Sequence, residues 1–310
     1  MVRRFALTLP VLVLLPAAWA AGQPAPPPGP DLALAAADGA RRVDHAAGDP
    51  LLLFVSLSNG VARAAASQNR AYAEILGELQ ASPRFQALPP ADRQRLLDRH
   101  RAVEVPVFVL GSADRPVSAL VRLVVADPQG RELPVQARAL ADANVPALVR
   151  LDEEEMILLA FGIDAGQIAR LAAGTYAVRA RLDTRRETAM WLGDVSSLPI
   201  EMTIQAPPAD APPDRRLRRL DAAGSYYLAS RQFDRVEQTA RQMIEIDRSA
   251  VSSWVLLGDG LDGLTRRQGA LEAFQQALRL YAERPPAGVP EPPDYIERRI
   301  REIQAALKRR

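Results

Sequence analysis

The chain has 310 residues, enough for about two domains, and its charges nearly cancel, with 39 Lys plus Arg against 37 Asp plus Glu. Removing Arg3 and Arg4 by processing takes the basic count from 39 to 37, so net charge gives no reason to expect nucleic acid or an anionic membrane as partner. Cysteine is absent, which excludes disulfides, thiolate metal sites, a lipid-modified N-terminal cysteine and a cysteine nucleophile.

Residues 1–20 read as a secretory signal peptide. Arg3 and Arg4 form the basic head, Phe5 to Leu15 the apolar stretch, and Ala18-Trp19-Ala20 a small-x-small cleavage pattern, which places cleavage after Ala20 or Ala21. The apolar stretch is too short to span a bilayer comfortably, and no later stretch of about 18 apolar residues follows. The expectation is a periplasmic or secreted mature chain with no membrane span. Residues 21–30 (AGQPAPPPGP) are a Pro-rich tether of extended preference.

From 31 to 206 the signals are mostly β. Asp31–Ala36 opens a strand and Asp38-Gly39 a turn. In 51–58, Leu53, Val55 and Leu57 share one face while Leu52 and Phe54 make the other apolar too, which predicts a strand buried on both sides. Residues 61–101 interrupt the pattern. Tyr72, Ile75, Leu76 and Leu79 fall at helical spacing, and a second short helix follows Pro89-Pro90, so a helical insertion is expected. Strands are expected at 105–110 and 117–126, then, after the turn Asp127-Pro128-Gln129-Gly130, a returning strand with Leu133, Val135, Ala137 and Ala139 on one face. Two more are read at 147–151 and 155–162, and a short helix at 165–171. In 175–183, Tyr176, Val178, Ala180 and Leu182 alternate with Thr175, Arg179, Arg181 and Asp183, and 200–205 repeats the alternation; this predicts antiparallel sheets wet on one face. Seven or eight such strands suggest a two-sheet β-sandwich. Leu171-Ala172-Ala173-Gly174-Thr175-Tyr176 resembles the L-x-x-G-x-Y start of a late strand in bacterial immunoglobulin-like domains, without the Cys…Trp…Cys core of antibody domains.

Residues 207–214 (PPADAPPD) mark a Pro-rich linker, and from 215 to 310 the chain reads as helical. Leu220, Gly224 and Tyr227 recur thirty-four places on as Trp254, Gly258 and Leu261. Trp254, Leu257-Gly258, Ala270, Phe274 and Ala277 follow the pattern of a tetratricopeptide repeat, with Leu261 where an aromatic is commoner, and residues 215–283 resemble two such hairpins. Phe233, Val236, Ala240 and Met243 make the looser second half of the first copy. The two glycines are expected to let the helices of each hairpin approach closely. Two repeats are fewer than stand alone, so the module should lean on a neighbour. One is a terminal helix after the connector 283–294, with Ile296, Ile300, Ile303 and Leu307 on one stripe; the β domain is another.

The resemblance implies a protein or peptide partner in a groove lined by each hairpin's first helix, which by helical phase carries Arg218, Asp221, Ser225, Leu228, Ser252, Val255, Asp259 and Asp262. The Lys/Asn clamp that some members use for a terminal carboxylate is missing, since the only lysine is Lys308. The run Arg215, Arg216, Arg218, Arg219 reads as a salt-bridged start to the first helix. Outside the repeat, His45 and His100 lie in no nucleophile motif, and no phosphate loop, paired metal ligands or EF-hand loop occur; Asp152–Glu155 reads as an acidic turn. The fold class expected is therefore α+β multidomain: an immunoglobulin-like antiparallel β-sandwich with a helical insertion, then an all-α repeat module. The function expected is a non-enzymatic, cofactor-free adaptor of the bacterial envelope. A carbohydrate-active or cell-wall enzyme is the alternative, requiring two facing carboxylates beside an aromatic such as Trp191 or Tyr176; a carbohydrate-binding module is the third reading.

Overall fold

The computed structural model describes residues 29–36, 39–99, 103–140, 146–187, 190–206, 210–283 and 294–309. The signal segment, most of the tether, Asp38, His100, residues 207–209 of the linker and residues 284–293 of the connector lie outside them. The described chain is mixed α and β, with ten helices and several sheets of mainly antiparallel pairing, none closed into a barrel. No helix among the described residues is long and apolar enough to cross a membrane.

Three strands come first: β1 (Asp31–Ala36), β2 (Arg42–Ala46) and β3 (Leu51–Ser58). The helical insertion follows as α1 (Gly60–Ala81), α2 (Pro83–Gln86) and α3 (Pro90–Arg99). Asn59 caps α1 by accepting from the Ala62 N–H, and its amide donates to the carbonyls of Pro106 and Leu151, so one fully buried side chain ties the helix to two later segments. Further along, Asn69 exchanges two hydrogen bonds with the Val103 backbone at 2.9 and 2.7 Å. The expected stripe is only half covered: Tyr72, Leu76 and Leu79 are half-buried, while Ile75 is 52% exposed.

The chain continues through β4 (Phe108–Leu110), α4 (Val117–Leu120), β5 (Val121–Ala126), β6 (Arg138–Ala139), β7 (Val149–Leu151), β8 (Met156–Ile163), α5 (Ala165–Ile168), β9 (Gly174–Asp183), β10 (Asp194–Ser196) and β11 (Ile200–Gln205). Four strands pair in the order β1-β3-β8-β6. In a second sheet β9 is central, with β5 along one edge and β10 then β11 along the other, and β2 beyond β11; β4 and β7 pair separately. Pro199 sits in the gap between β10 and β11, and there the Ser197 hydroxyl takes over the ladder by accepting from the Ala180 N–H. Residues from all three sheets, including Leu53, Val55, Phe161, Leu123, Val178, Leu182 and Met202, bury into one apolar core.

Several elements differ from the sequence reading. The strand expected at 117–126 begins as a helical turn, because Pro116 sets its start and Val117 and Leu120 reach the core at a three-residue spacing. The strand expected from 105 starts at Phe108, past Pro106. The returning strand expected from 133 is paired only at Arg138–Ala139; Pro134 removes a ladder donor, though Leu133, Val135 and Ala137 still pack on the core. The helix expected to run to 171 ends at Ile168. The sequence reading passed over β2, three of whose five residues are the polar Arg42, Asp44 and His45, and β2 pairs with β11 in parallel rather than antiparallel.

Five helices close the chain: α6 (Pro213–Ala229), α7 (Phe233–Ile246), α8 (Val251–Gly263), α9 (Arg267–Glu283) and α10 (Asp294–Lys308). Each packs on its predecessor, and α6 also touches α8 and β3. The contact with β3 explains its two apolar faces. Leu53, Val55 and Leu57 enter the shared core, whereas Leu52, with Leu140, buries Tyr226 of α6, and Phe54, Ala160, Tyr227 and Ala229 surround that contact.

Candidate functional site

The helical module repeats in backbone geometry as well as in sequence. After α6, Arg231 N–H bonds to Leu228 and Gln232 N–H to Tyr227; after α8, Thr265 bonds to Asp262 and Arg266 to Leu261. These are the same two helix-ending bonds, displaced by thirty-four residues. Arg231 (φ 58°) and Thr265 (φ 62°) are the two non-glycine residues with positive φ among the described residues, and they are equivalent positions. In the second helices Val236, Ala240 and Met243 match Ala270, Phe274 and Ala277, and all six are 1% exposed or less. Their bulk is redistributed: the large side chain is Met243 in the first copy and Phe274 in the second.

The glycines act as the spacing suggested, with one change of partner. A Cβ on Gly258 would stand 2.7 Å from the Phe274 ring, so Gly258 does bring α8 against α9 within a hairpin. A Cβ on Gly224 would stand 2.4 Å from Leu256, which lies on α8. Gly224 therefore admits the other hairpin's first helix rather than its own partner α7.

The eight first-helix positions fall into three environments. Arg218, Asp221 and Ser252 are exposed, and Arg218 pairs with Asp214 at 2.7 Å. Ser225 is half-buried, and Leu228 and Val255 turn partly into the helical core. Asp259 is 8% exposed and Asp262 half-buried, and both face α10. The Tyr295 hydroxyl donates to Asp259, and Arg299 donates to Asp262 at 2.7 Å and to Glu302 at 2.8 Å. Arg299 also lies 5.8 Å from the centre of the Phe274 ring. Burial pushes the Asp259 carboxyl above its ordinary range, against the opposing pull of Tyr295 and Arg299. Burial and the neighbouring Asp259 raise the Tyr295 phenol. Burial alone would lower Arg299, but its bonds to Glu302 and Asp262 outweigh that and hold it above its usual value. Two positions of the expected groove thus form the seat of the terminal helix. That helix docks as its stripe indicated, with Ile296 and Ile303 buried and Ile300 and Leu307 half-buried.

Tyr226, Asp49, Tyr295 and Arg299 were not singled out by the sequence reading. The i,i+4 spacing of Tyr295 and Arg299 was legible; their acidic partners thirty-odd residues away were not. Of the basic run, Arg219 reaches across to Asp49 of the sheet region, next to a cleft of about 660 Å³ also lined by Arg216, Leu220, Gln242 and Glu245. Beside Asp49, His45 bonds to its carbonyl at 3.0 Å, and burial lowers the imidazole pKa.

The residues named for the enzymatic alternative are placed as follows. Trp191 is half-buried and meets Phe108 edge-on at 6.1 Å. The Tyr176 hydroxyl donates to the Ala172 carbonyl at 2.8 Å. A cleft of about 470 Å³ beside it is lined by Asp127, Arg131, Gln167, Arg170 and Leu171, and Asp127 is bonded by Arg131 at 2.7 Å. Asp152 accepts from the Glu154 and Glu155 N–H groups, closing its own turn. Among the described residues no group of three or more His, Asp or Glu is placed to hold a metal ion.

The sequence matches no family model and no curated protein. Among solved structures, the one described as "Crystal structure of the E. coli chaperone DraB" is 14% identical, with a TM-score of 0.25 over 63% of this chain and 61% of that one. The match spans about three fifths of that structure's length, and a similarity this low carries neither a fold nor a function to this chain.

Proposed function

We propose that this chain is an exported, non-enzymatic protein-binding adaptor of the bacterial envelope. In this reading residues 31–206 are an immunoglobulin-like antiparallel β-sandwich with a helical insertion, and 215–310 are two tetratricopeptide hairpins with a capping helix. One observation carries the proposal: two hairpins with matching turn bonds and matching buried positions leave a polar row, Arg218, Asp221 and Ser252, exposed along their first helices. Repeats of this kind bind extended or helical segments on such rows. The signal segment supports export, and the near-balance of charge supports a protein partner over nucleic acid.

The test is site-specific photocrosslinking in the native envelope. A crosslinking side chain at Ser252 is expected to trap a discrete partner, and one at Glu272, exposed on α9, is not. Equal labelling from both positions would remove the first-helix row as the binding surface.

A further inference from the structure

We propose that the cleft beside Tyr176 binds a small apolar carboxylate, whose anionic end Arg170 holds. The site lies in the sheet region, apart from the repeat module, and it does not depend on the protein-binding reading above.

The cleft encloses about 470 Å³, within the range of small-molecule sites. Leu133, Pro134, Val135, Leu171, Ala172 and the Tyr176 ring supply its apolar lining. Both segments that carry this lining are held in place by the protein itself. Gln167 closes a pair of hydrogen bonds with the Gln136 backbone: its Oε1 accepts from the N–H and its Nε2 donates to the carbonyl, each at 2.6 Å. The Tyr176 hydroxyl fixes the Ala172 carbonyl at 2.8 Å. A ligand entering a lining that is already ordered pays little for arranging it.

The polar groups decide the ligand's charge. Asp127 Oδ1 accepts from the Gln129 and Arg131 N–H groups, and Oδ2 accepts from Arg131 Nε at 2.7 Å. The Gln129 amide oxygen accepts from Arg131, and the Gln167 amide oxygen from Gln136. Each side-chain carbonyl and carboxylate oxygen lining the cleft is therefore engaged. Asp164, at the start of α5, turns to the Gln167 N–H at 3.0 Å and does not line the cleft. The Arg170 guanidinium differs: it is exposed and makes no hydrogen bond or ion pair among the described residues. Asp127 and Arg131 neutralise one another, so Arg170 leaves the cleft with a net positive charge and a set of unspent donors. The ligand must then bring acceptors and negative charge, and a guanidinium fork matches a carboxylate. The lining calls for an apolar body behind that carboxylate. A fatty acid and the end of an apolar peptide share this chemistry.

The experiment is isothermal titration calorimetry on the full mature chain, with octanoate below its micellar range as the first probe. Acetyl-valyl-leucine, a peptide acid, is the second. Octanoate is expected to bind at one site, with 1-octanol and octylammonium at least ten-fold weaker; the peptide acid should exceed its C-terminal amide in the same way. Binding of octanoate alone assigns a lipid acid, binding of the peptide acid alone assigns a chain terminus, and either supports the site. Arg170→Ala should weaken the bound acid at least ten-fold, and Arg170→Glu should abolish its binding. The Arg170 side chain is exposed and unbonded, so both variants keep the fold. Ala172→Trp, also at an exposed position, fills the cleft while leaving Arg170 in place and should abolish binding too. If neither acid binds, if 1-octanol matches octanoate, or if Arg170→Glu or Ala172→Trp leaves acid binding unchanged, the proposal is overturned.

Discussion

Asn59 shows how much one side chain can fix. Its carbonyl oxygen caps α1 while its amide serves two backbone acceptors distant in sequence, all without solvent. Asn59→Ala should cost about 2–4 kcal/mol, combining a lost cap with two buried carbonyls left unmet. Asn59→Asp keeps the cap acceptor but loses the donors, and it should destabilise comparably; urea denaturation of both variants checks this. If Asp restores wild-type stability, the cap alone matters. Charged residues on β9 and β10 set a second, pH-dependent effect. Hydrogen bonds from Arg181 hold Asp194 below the ordinary carboxylate range, and those from Arg185 do the same for Asp183. A carboxylate with a depressed folded pKa adds stability that is present above its unfolded value, near 3.8, and lost as pH falls through the folded value. Thermal midpoints should therefore drop below about pH 4, and Arg181→Gln should flatten that dependence.

Among the helices, recurrence at thirty-four residues resides in turns as much as in cores. Phe274 is the bulky side chain among the matched buried positions Ala270, Phe274 and Ala277 of α9, and Gly258 beside it leaves the room for its ring. Phe274→Ala should cost about 3–5 kcal/mol through the cavity it leaves. It should also weaken α10, because Tyr295 and Arg299 both rest on that ring. Circular dichroism with limited proteolysis near 284 reads the two effects; an intact, protease-resistant C-terminus in the variant would separate α10 from Phe274. These helices were legible in sequence because a helix that buries one side must repeat its apolar residues every three or four positions. Strand β2 was not legible, since a strand that is mostly polar carries no such period and owes its place to the bonds β11 offers.

The whole molecule is held together by a contact that neither half reveals alone. Gly162 on β8 leaves a hollow for the Tyr226 ring, whose edge would come within 2.6 Å of a Cβ at that position. With Leu52 and Leu140 it makes a small second core, and Arg219 to Asp49 adds a second link between α6 and the loop before β3. The two-repeat module is thus braced by the sheet at α6 and by α10 at the far end. Tyr226→Ala should remove about 3 kcal/mol or more from the coupled structure. Calorimetry should then resolve two transitions, sheet and helices, where wild type melts in one. A single, unshifted transition in the variant would mean that the halves do not depend on this contact.

The sequence by itself determined the period of each element: the alternation in β9 and β11, the two-sided apolarity of β3, the repeat with its buried positions, and the stripe of α10. These are local consequences of burial, written into neighbouring residues. Only the tertiary structure decided what covers each face. It put Tyr226 on the outer side of β3, turned Gly224 toward α8, placed β2 in parallel beside β11, and closed Asp259 and Asp262 beneath Arg299. Periodicity records that a face is buried, whereas the identity of its partner depends on residues far away in the chain, and a carboxylate has the same spacing whether it meets water or an arginine.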